Sequence, residues 1–157
     1  NVSAVSLVTI VACLVIMAGL MFFTGKTKMG KAMRAVSEDK AAAQLMGINV
    51  SRTISMTFAI GSALAAIAGV LLCSYSPVLQ PTTGAMPGIK AFDAAVFGGI
   101  GSIPGAFVGG ILIGIIEAMA QAYISTSLAN SIVFGVLIIV LLVKPAGLLG
   151  KYVPEKV

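Results

Sequence analysis

The chain has no histidine, two cysteines and few charged residues. Only 10% of its 157 residues are charged, whereas a soluble domain carries roughly 25%. Because 59% of the residues are apolar, the chain cannot cover its own surface with polar groups, and its surroundings must be mostly lipid. This composition excludes most classes of soluble enzyme.

The missing histidine also excludes the usual Cys/His metal sites. Cys13 and Cys73 each lie inside an apolar run, where a free cysteine is most often a small buried apolar residue rather than half of a disulfide. No pair of carboxylates, and no activated serine, stands at a spacing suited to acid–base or nucleophilic chemistry. We therefore expect no catalysis by this chain.

Positive charge is present and is concentrated in one place. Ten Lys and Arg against five Asp and Glu give a net charge of +5. Six of the ten basic residues lie between two apolar segments, where the positive-inside rule would put a cytoplasmic loop, so the charge does not indicate nucleic-acid binding. These six are Lys26, Lys28, Lys31, Arg34, Lys40 and Arg52.

The apolar runs predict an all-α fold, a polytopic transmembrane helix bundle with about five spans. Between the first two full spans, the loop 24–53 is expected to contain a surface helix over 29–46 that Gly47 ends. A basic tail covers 144–157 and includes Lys144, Lys151 and Lys156. The full-length spans are predicted over 6–23, 54–75, 105–124 and 127–143.

The segment 91–103 is short for a span and ends in residues that break helices. If the loop and the tail both face the cytoplasm, the chain has to cross the membrane four times after the loop. Only three predicted full-length spans follow the loop, so the segment 91–103 crosses as a short or broken helix unless a boundary is wrong. Broken backbone at membrane depth is tolerated only beside protein or a water-filled cavity. Gly98, Gly99 and Gly101 are therefore candidates for a transport pathway.

Three ionisable residues lie at or inside the later apolar segments. Glu117 lies within a predicted span, where an ionised group costs at least about 2.5 kcal/mol unless it is paired or hydrated. It either lines a permeation route or anchors a gating contact, or it is a protonated or Gln121-bonded residue between helices. Lys90 and Asp93, at positions i and i+3, predict an ion pair at a segment end, which we favour over a substrate contact.

Small residues recur at a spacing of four, which lets helices approach closely in lipid. Other glycines come near nucleotide-binding motifs without completing them. In the string LMFFTGKT, Leu20 stands where the phosphate-binding loop needs glycine, and Pro104 replaces the third glycine of the dinucleotide motif. No nucleotide cofactor is expected. The small residues that recur at a spacing of four form three stripes: Gly61, Ala65 and Gly69; Ser102, Ala106, Gly110 and Gly114; and Gly101, Gly105 and Gly109.

Three blocks together resemble the C-terminal half of the LivH-type permease subunit of branched-chain amino-acid ABC importers. They are residues 25–72, the run KAFDAAVFGGIGSIPGAFVGGILIGIIEA at 90–118, and KPAGLLGK at 144–151. The block AAAQLMGI at 41–48 is similar to the pattern by which ABC permeases dock on their ATPase. The chain begins with Asn1, and the resemblance implies a piece of a longer permease, in one transmembrane domain over 1–157.

The resemblance implies a type II ABC importer permease in the bacterial inner membrane, forming part of the path for branched-chain amino acids. The implied partners are two ATP-binding cassette subunits, which use the ATP, a homologous second permease subunit, a periplasmic substrate-binding protein and membrane lipid. The loop 24–53 would then be a cytoplasmic coupling loop. Its polar contacts would come from Lys31, Arg34, Glu38 and Asp39, and its close fit from Ala41, Ala42, Leu45 and Gly47.

Other interpretations fit parts of the sequence. A self-contained channel or secondary transporter would use Glu117 or Asp93 to couple ions, a scaffold would have no pathway, and the loop would be a solvated basic linker if its charge served topology alone. The chain departs from the family pattern at Ala146 and Asp93, and no residue separates aliphatic amino acids from urea, amides or other small amino acids as the substrate.

Overall fold

The computed structural model of the protein describes residues 3–150, and every regular element within them is an α-helix. This confirms the predicted all-α fold class. The chain divides into two compact units, Asn1–Gln80 with the first four helices and Pro81–Val157 with the last three. The helices are α1 (Ala4–Lys26), α2 (Lys28–Glu38), α3 (Lys40–Leu45), α4 (Val50–Tyr75), α5 (Ala85–Gly98), α6 (Ile103–Tyr123) and α7 (Thr126–Val143).

Four of these helices, α1, α4, α6 and α7, are long and apolar enough to cross a membrane. They contain 18 to 26 residues, which at 1.5 Å per residue cover roughly 27–39 Å, about the thickness of the hydrocarbon core. They coincide with the four predicted full-length spans, and α1 runs past its predicted end to Lys26.

The fifth, short segment is α5, whose predicted bounds of 91–103 are wrong. The helix begins at Ala85, ends at Gly98 and contains 14 residues, which is roughly 21 Å. It ends there because Gly99 and Gly101 take φ angles of 108° and 89°, a region that only glycine enters without strain. Ile103 then already belongs to α6.

The single helix predicted over 29–46 is also wrong, because the chain breaks at Asp39. This residue is extended, with φ −152° and ψ 111°, and its carboxylate accepts the backbone N–H groups of Ala41 and Ala42 at 2.8 and 3.1 Å. Aspartate at this position satisfies the free N–H groups of a new helix. The predicted end at Gly47 is confirmed, since Gly47 has φ 82°.

The first unit is organised by the junction between α1 and α2. The Thr27 hydroxyl donates to the carbonyl of Phe23 at 2.5 Å and accepts the N–H of Gly30 at 3.0 Å, so one side chain caps both helices. Gly30 lies directly against the backbone of Phe23 and Thr24. In the same unit, Val36 of α2 is buried, and its burial fixes the apolar face of α2.

In the second unit, glycines bring α5 and α6 together. Gly105 packs on the backbone of Gly98, and Gly109 on the carbonyl of Ala94, so the predicted stripe containing Gly105 and Gly109 is a helix contact. Behind this contact lies a core formed by one side chain from each helix, Phe97, Ile113 and Val133.

The stripe on α4 packs on nothing in the first unit. A Cβ added at Gly61 or Gly69 would meet no atom within 4 Å. Gly61 and Ala65 instead line a shallow groove with Thr57, Phe58 and Ser62. On α6, Gly114 is equally open.

Replacing Gly30 by alanine is expected to destabilise the first unit, because the new Cβ would overlap the backbone of Phe23 and Thr24. Overpacking of this kind costs about 1–3 kcal/mol. Denaturant unfolding of the detergent-solubilised protein measures the loss. Gly25→Ala is the matched control, since its Cβ meets nothing within 4 Å, and equal unfolding free energies for the two variants would contradict the contact.

Candidate functional site

The predicted coupling residues lie on the exposed surface of α2, α3 and the turn after α3. Lys31, Arg34, Glu38 and Asp39 are exposed. Within residues 3–150 none of these four side chains takes part in an ion pair, because the pair found there joins two residues of the second unit. Their charges are therefore available to a partner.

The residues predicted to give close fit share this exposure. Ala41, Ala42 and Gly47 are exposed, whereas their neighbour Ala43 is buried. Leu45 is 89% exposed, and Met46 beside it is 83% exposed. The sequence pointed to Leu45 and missed Met46, which directly precedes the helix-ending glycine and could have been found from that position. Their role in coupling stays a prediction.

The glycines proposed for a pathway lie where the chain folds back on itself. The N–H groups of Leu148 and Leu149 donate to the carbonyls of Phe97 and Gly98, both at 2.9 Å. Gly147 and Gly150 also pack against Gly99. Residues 144–150 of the predicted tail thus close the end of α5, and residues 151–157, with Lys151 and Lys156, lie outside the described part.

Close packing explains two of the three glycines, each through a different contact. A Cβ at Gly98 would overlap the backbone of Gly105, and one at Gly99 the backbone of Gly150. Gly101, by contrast, has open space around it. That these glycines line a pathway stays a prediction.

Glu117 takes part in a polar cluster between α5 and α6. Its Oε1 atom lies 2.5 Å from Nζ of Lys90 and accepts a hydrogen bond from Nε2 of Gln121 at 3.1 Å. The bond to Gln121, one of the alternatives considered for Glu117, is present, and a role of Glu117 in a pathway stays a prediction. The Lys90 and Glu117 side chains are 26% and 21% exposed, so the ion pair is largely shielded by the helices.

The predicted ion pair between Lys90 and Asp93 is wrong in this structure. Lys90 binds across to Glu117 instead, because the glycine contacts hold α5 and α6 close enough for its long side chain to span the gap. Asp93 is only 3% exposed, and its Oδ2 has no hydrogen-bond partner among the described residues. Its burial follows from its place four residues before Phe97, on the same helix face.

The described residues hold no group of three or more His, Cys, Asp or Glu side chains that could bind a metal ion. Cys13 and Cys73 are free and half-buried, as expected from their apolar surroundings.

Neutralising either partner of the Lys90–Glu117 pair is expected to destabilise the second unit. Lys90→Met or Glu117→Gln removes a charge-assisted hydrogen bond that contributes about 2 kcal/mol. Thermal unfolding in detergent measures this. The double variant Lys90→Met/Glu117→Gln leaves no unpaired charge, so its loss should be smaller than the sum of the two single losses; losses that simply add would show that the two side chains do not interact.

Comparison with known proteins places the chain among membrane permeases. The family model described as "Branched-chain amino acid transport system / permease component" matches residues 1–142. No solved structure matches the chain.

Curated relatives agree with the family model. The high-affinity branched-chain amino acid transport system permease protein LivH of Escherichia coli (strain K12) is 52% identical over 141 residues, 90% of this chain and 46% of the relative. The corresponding protein BraD of Pseudomonas aeruginosa is 44% identical over 156 residues, 99% of this chain and 51% of the relative. The xylose transport system permease protein XylH of Escherichia coli (strain K12) is 35% identical over 103 residues, 62% of this chain and 26% of the relative.

The chain thus spans about half the length of the curated branched-chain relatives that it matches. The matched region covers the four helices of the described residues that could cross a membrane, except the last residue of α7, and the loop between the first two. This multi-pass membrane protein belongs to the family of branched-chain amino acid transport permease components.

Proposed function

We propose that the chain is part of a permease subunit of an ABC importer in the bacterial inner membrane and forms part of the translocation path for branched-chain amino acids. Two separate ATP-binding cassette subunits hydrolyse ATP, a homologous second permease subunit completes the path, and a periplasmic binding protein delivers the substrate. The chain itself catalyses no reaction and holds no cofactor.

The observation that carries this proposal is the 52% identity, over 90% of the chain, with a permease named for branched-chain amino acid transport. The apolar helices add to this support. A path lined by aliphatic side chains suits aliphatic substrates, and ionised groups inside such a path would be costly unless paired.

The surface formed by α2, α3 and the turn after α3 suits binding to the ATPase. It lies outside the apolar helices and exposes two large apolar side chains, Leu45 at 89% and Met46 at 83%. Exposed apolar side chains rimmed by polar residues mark protein interaction sites. Lys31 and Arg34 on the neighbouring helix α2 are exposed, take part in no ion pair among the described residues, and would supply the polar contacts.

In this proposal the ATPase subunits move α3 when they close on ATP. Asp39 caps α3, and Gly47 with φ 82° ends it, so α3 is a short rigid body of six residues between two defined breaks. After Gly47 the chain continues through Asn49 into α4. The Asn49 side chain caps α4 by accepting the N–H of Arg52 at 3.0 Å. Force on α3 therefore reaches the membrane-crossing helix α4 through few residues.

Leu45→Asp is expected to lower uptake of leucine at least tenfold, because it puts a charge where the ATPase would bind an apolar side chain. The measurement is ATP-dependent uptake by the full-length permease, assembled with its partner subunits in proteoliposomes. Leu79→Asp is the matched control, because Leu79 is also exposed, at 67%, but follows the opposite end of α4.

Uptake within twofold of the parent for Leu45→Asp, or equal losses for both variants, would contradict coupling through this loop. Leucine uptake that proceeds without ATP would instead favour a channel or an ion-coupled transporter.

A further inference from the structure

Asp93 is a carboxyl group buried within the second unit. It is 3% exposed, and its Oδ2 accepts no hydrogen bond from the described residues. It lies on the same face of α5 as Phe97, which belongs to the core of the unit. An ionised carboxyl group that is buried without a partner is strongly destabilising, so Asp93 can carry a charge only in an arrangement that pairs it.

Lys90 is the cation placed to provide that pairing. It precedes Asp93 by three residues in α5, and side chains three apart on a helix have Cβ atoms about 5–6 Å from each other. Side chains on a helix also lean toward its N-terminus, so the carboxyl group of Asp93 leans toward the turn that carries Lys90. Nevertheless, Lys90 binds Glu117 of α6 in this structure.

Glu117 can release Lys90 without being left unpaired. Its Oε1 already accepts a second hydrogen bond from Gln121, four residues on in α6 at 3.1 Å. Asp93 has no such second donor among the described residues. Lys90 therefore binds one carboxyl group, that of Glu117, and lies one helical turn before a second, that of Asp93; only Glu117 has another donor.

No other charged residue of the described second unit competes for these groups. Glu117 is the single charged residue in α6, and α7 has none. Lys144 follows α7, and its ammonium donates to the carbonyl of Leu148 at 2.7 Å, at the end of α5 where the chain folds back. Lys90, Asp93 and Glu117 therefore have no further charged partner among the described residues of this unit.

We propose that Lys90 is a two-position contact, bound to Glu117 in the arrangement described here and to Asp93 in a second conformation of the transport cycle. The inference rests on the proposed function, because that second conformation is a state of the transporter. The glycine contacts of Gly98 with Gly105 and of Gly109 with Ala94 lie further along α5 and stay closed. When the Lys90 ammonium moves from Glu117 to Asp93, the N-terminal end of α5, which begins at Ala85, is released from α6.

Two matched neutralisations in the full-length permease complex test this exchange. Asp93→Asn and Glu117→Gln each remove one carboxylate with little change in volume, and each should lower ATP-dependent leucine uptake at least tenfold, because Lys90 keeps a single ionised partner. Their effects on stability should differ. Glu117→Gln removes a contact formed here and should lower the thermal unfolding midpoint by about 3 °C or more, whereas Asp93→Asn should leave the midpoint unchanged or raise it.

Two results would overturn the exchange. Uptake by Asp93→Asn within twofold of the parent would make Asp93 an idle buried group. A fall in the unfolding midpoint, or in the amount of protein inserted, alongside the loss of uptake would make it a structural residue of this arrangement. A parent complex without ATP-dependent uptake would overturn the proposed function and the exchange together, whereas an active Asp93→Asn in an active parent complex overturns the exchange alone.

Discussion

The hydrocarbon core of a membrane offers no water, and the rest of the structure depends on that constraint. Each backbone or charged group held there has to find its partner within the protein. At the end of α5, Leu148 and Leu149 donate to the carbonyls of Phe97 and Gly98, so these backbone groups have partners within the protein. The Lys90–Glu117 pair applies the same rule to charged side chains.

Lipid also supplies little hydrophobic driving force between helices, so close packing has to replace it. Gly105 and Gly109 of α6 contact the backbone of α5, and this short distance is what allows Lys90 to reach Glu117. In the first unit Gly30 serves the same purpose between α2 and α1. Asp93 is the exception to the constraint within the described residues, and for that reason it is the residue that suggests a second conformation.

Much of this architecture could be predicted from the order of the residues, since hydropathy alone located the four long helices. The break at Asp39 could not, because the intrinsic helix preference of 29–46 was overridden by a carboxylate that caps the next helix. The partner of Lys90 could not be predicted either. It depends on the register between α5 and α6, which the glycine contacts determine and which spacing within α5 does not reveal.

The claim that decides this account is that lipid surrounds the long helices while the loop between α1 and α4 lies in the cytoplasm. Labelling with a membrane-impermeant maleimide tests it, using single cysteines at Met46, which is 83% exposed in the loop, and at Phe58, which is 72% exposed within α4. The account predicts that the cysteine at 46 reacts in inside-out vesicles only and that the cysteine at 58 reacts in neither orientation. Reaction at position 46 in sealed right-side-out vesicles would contradict it.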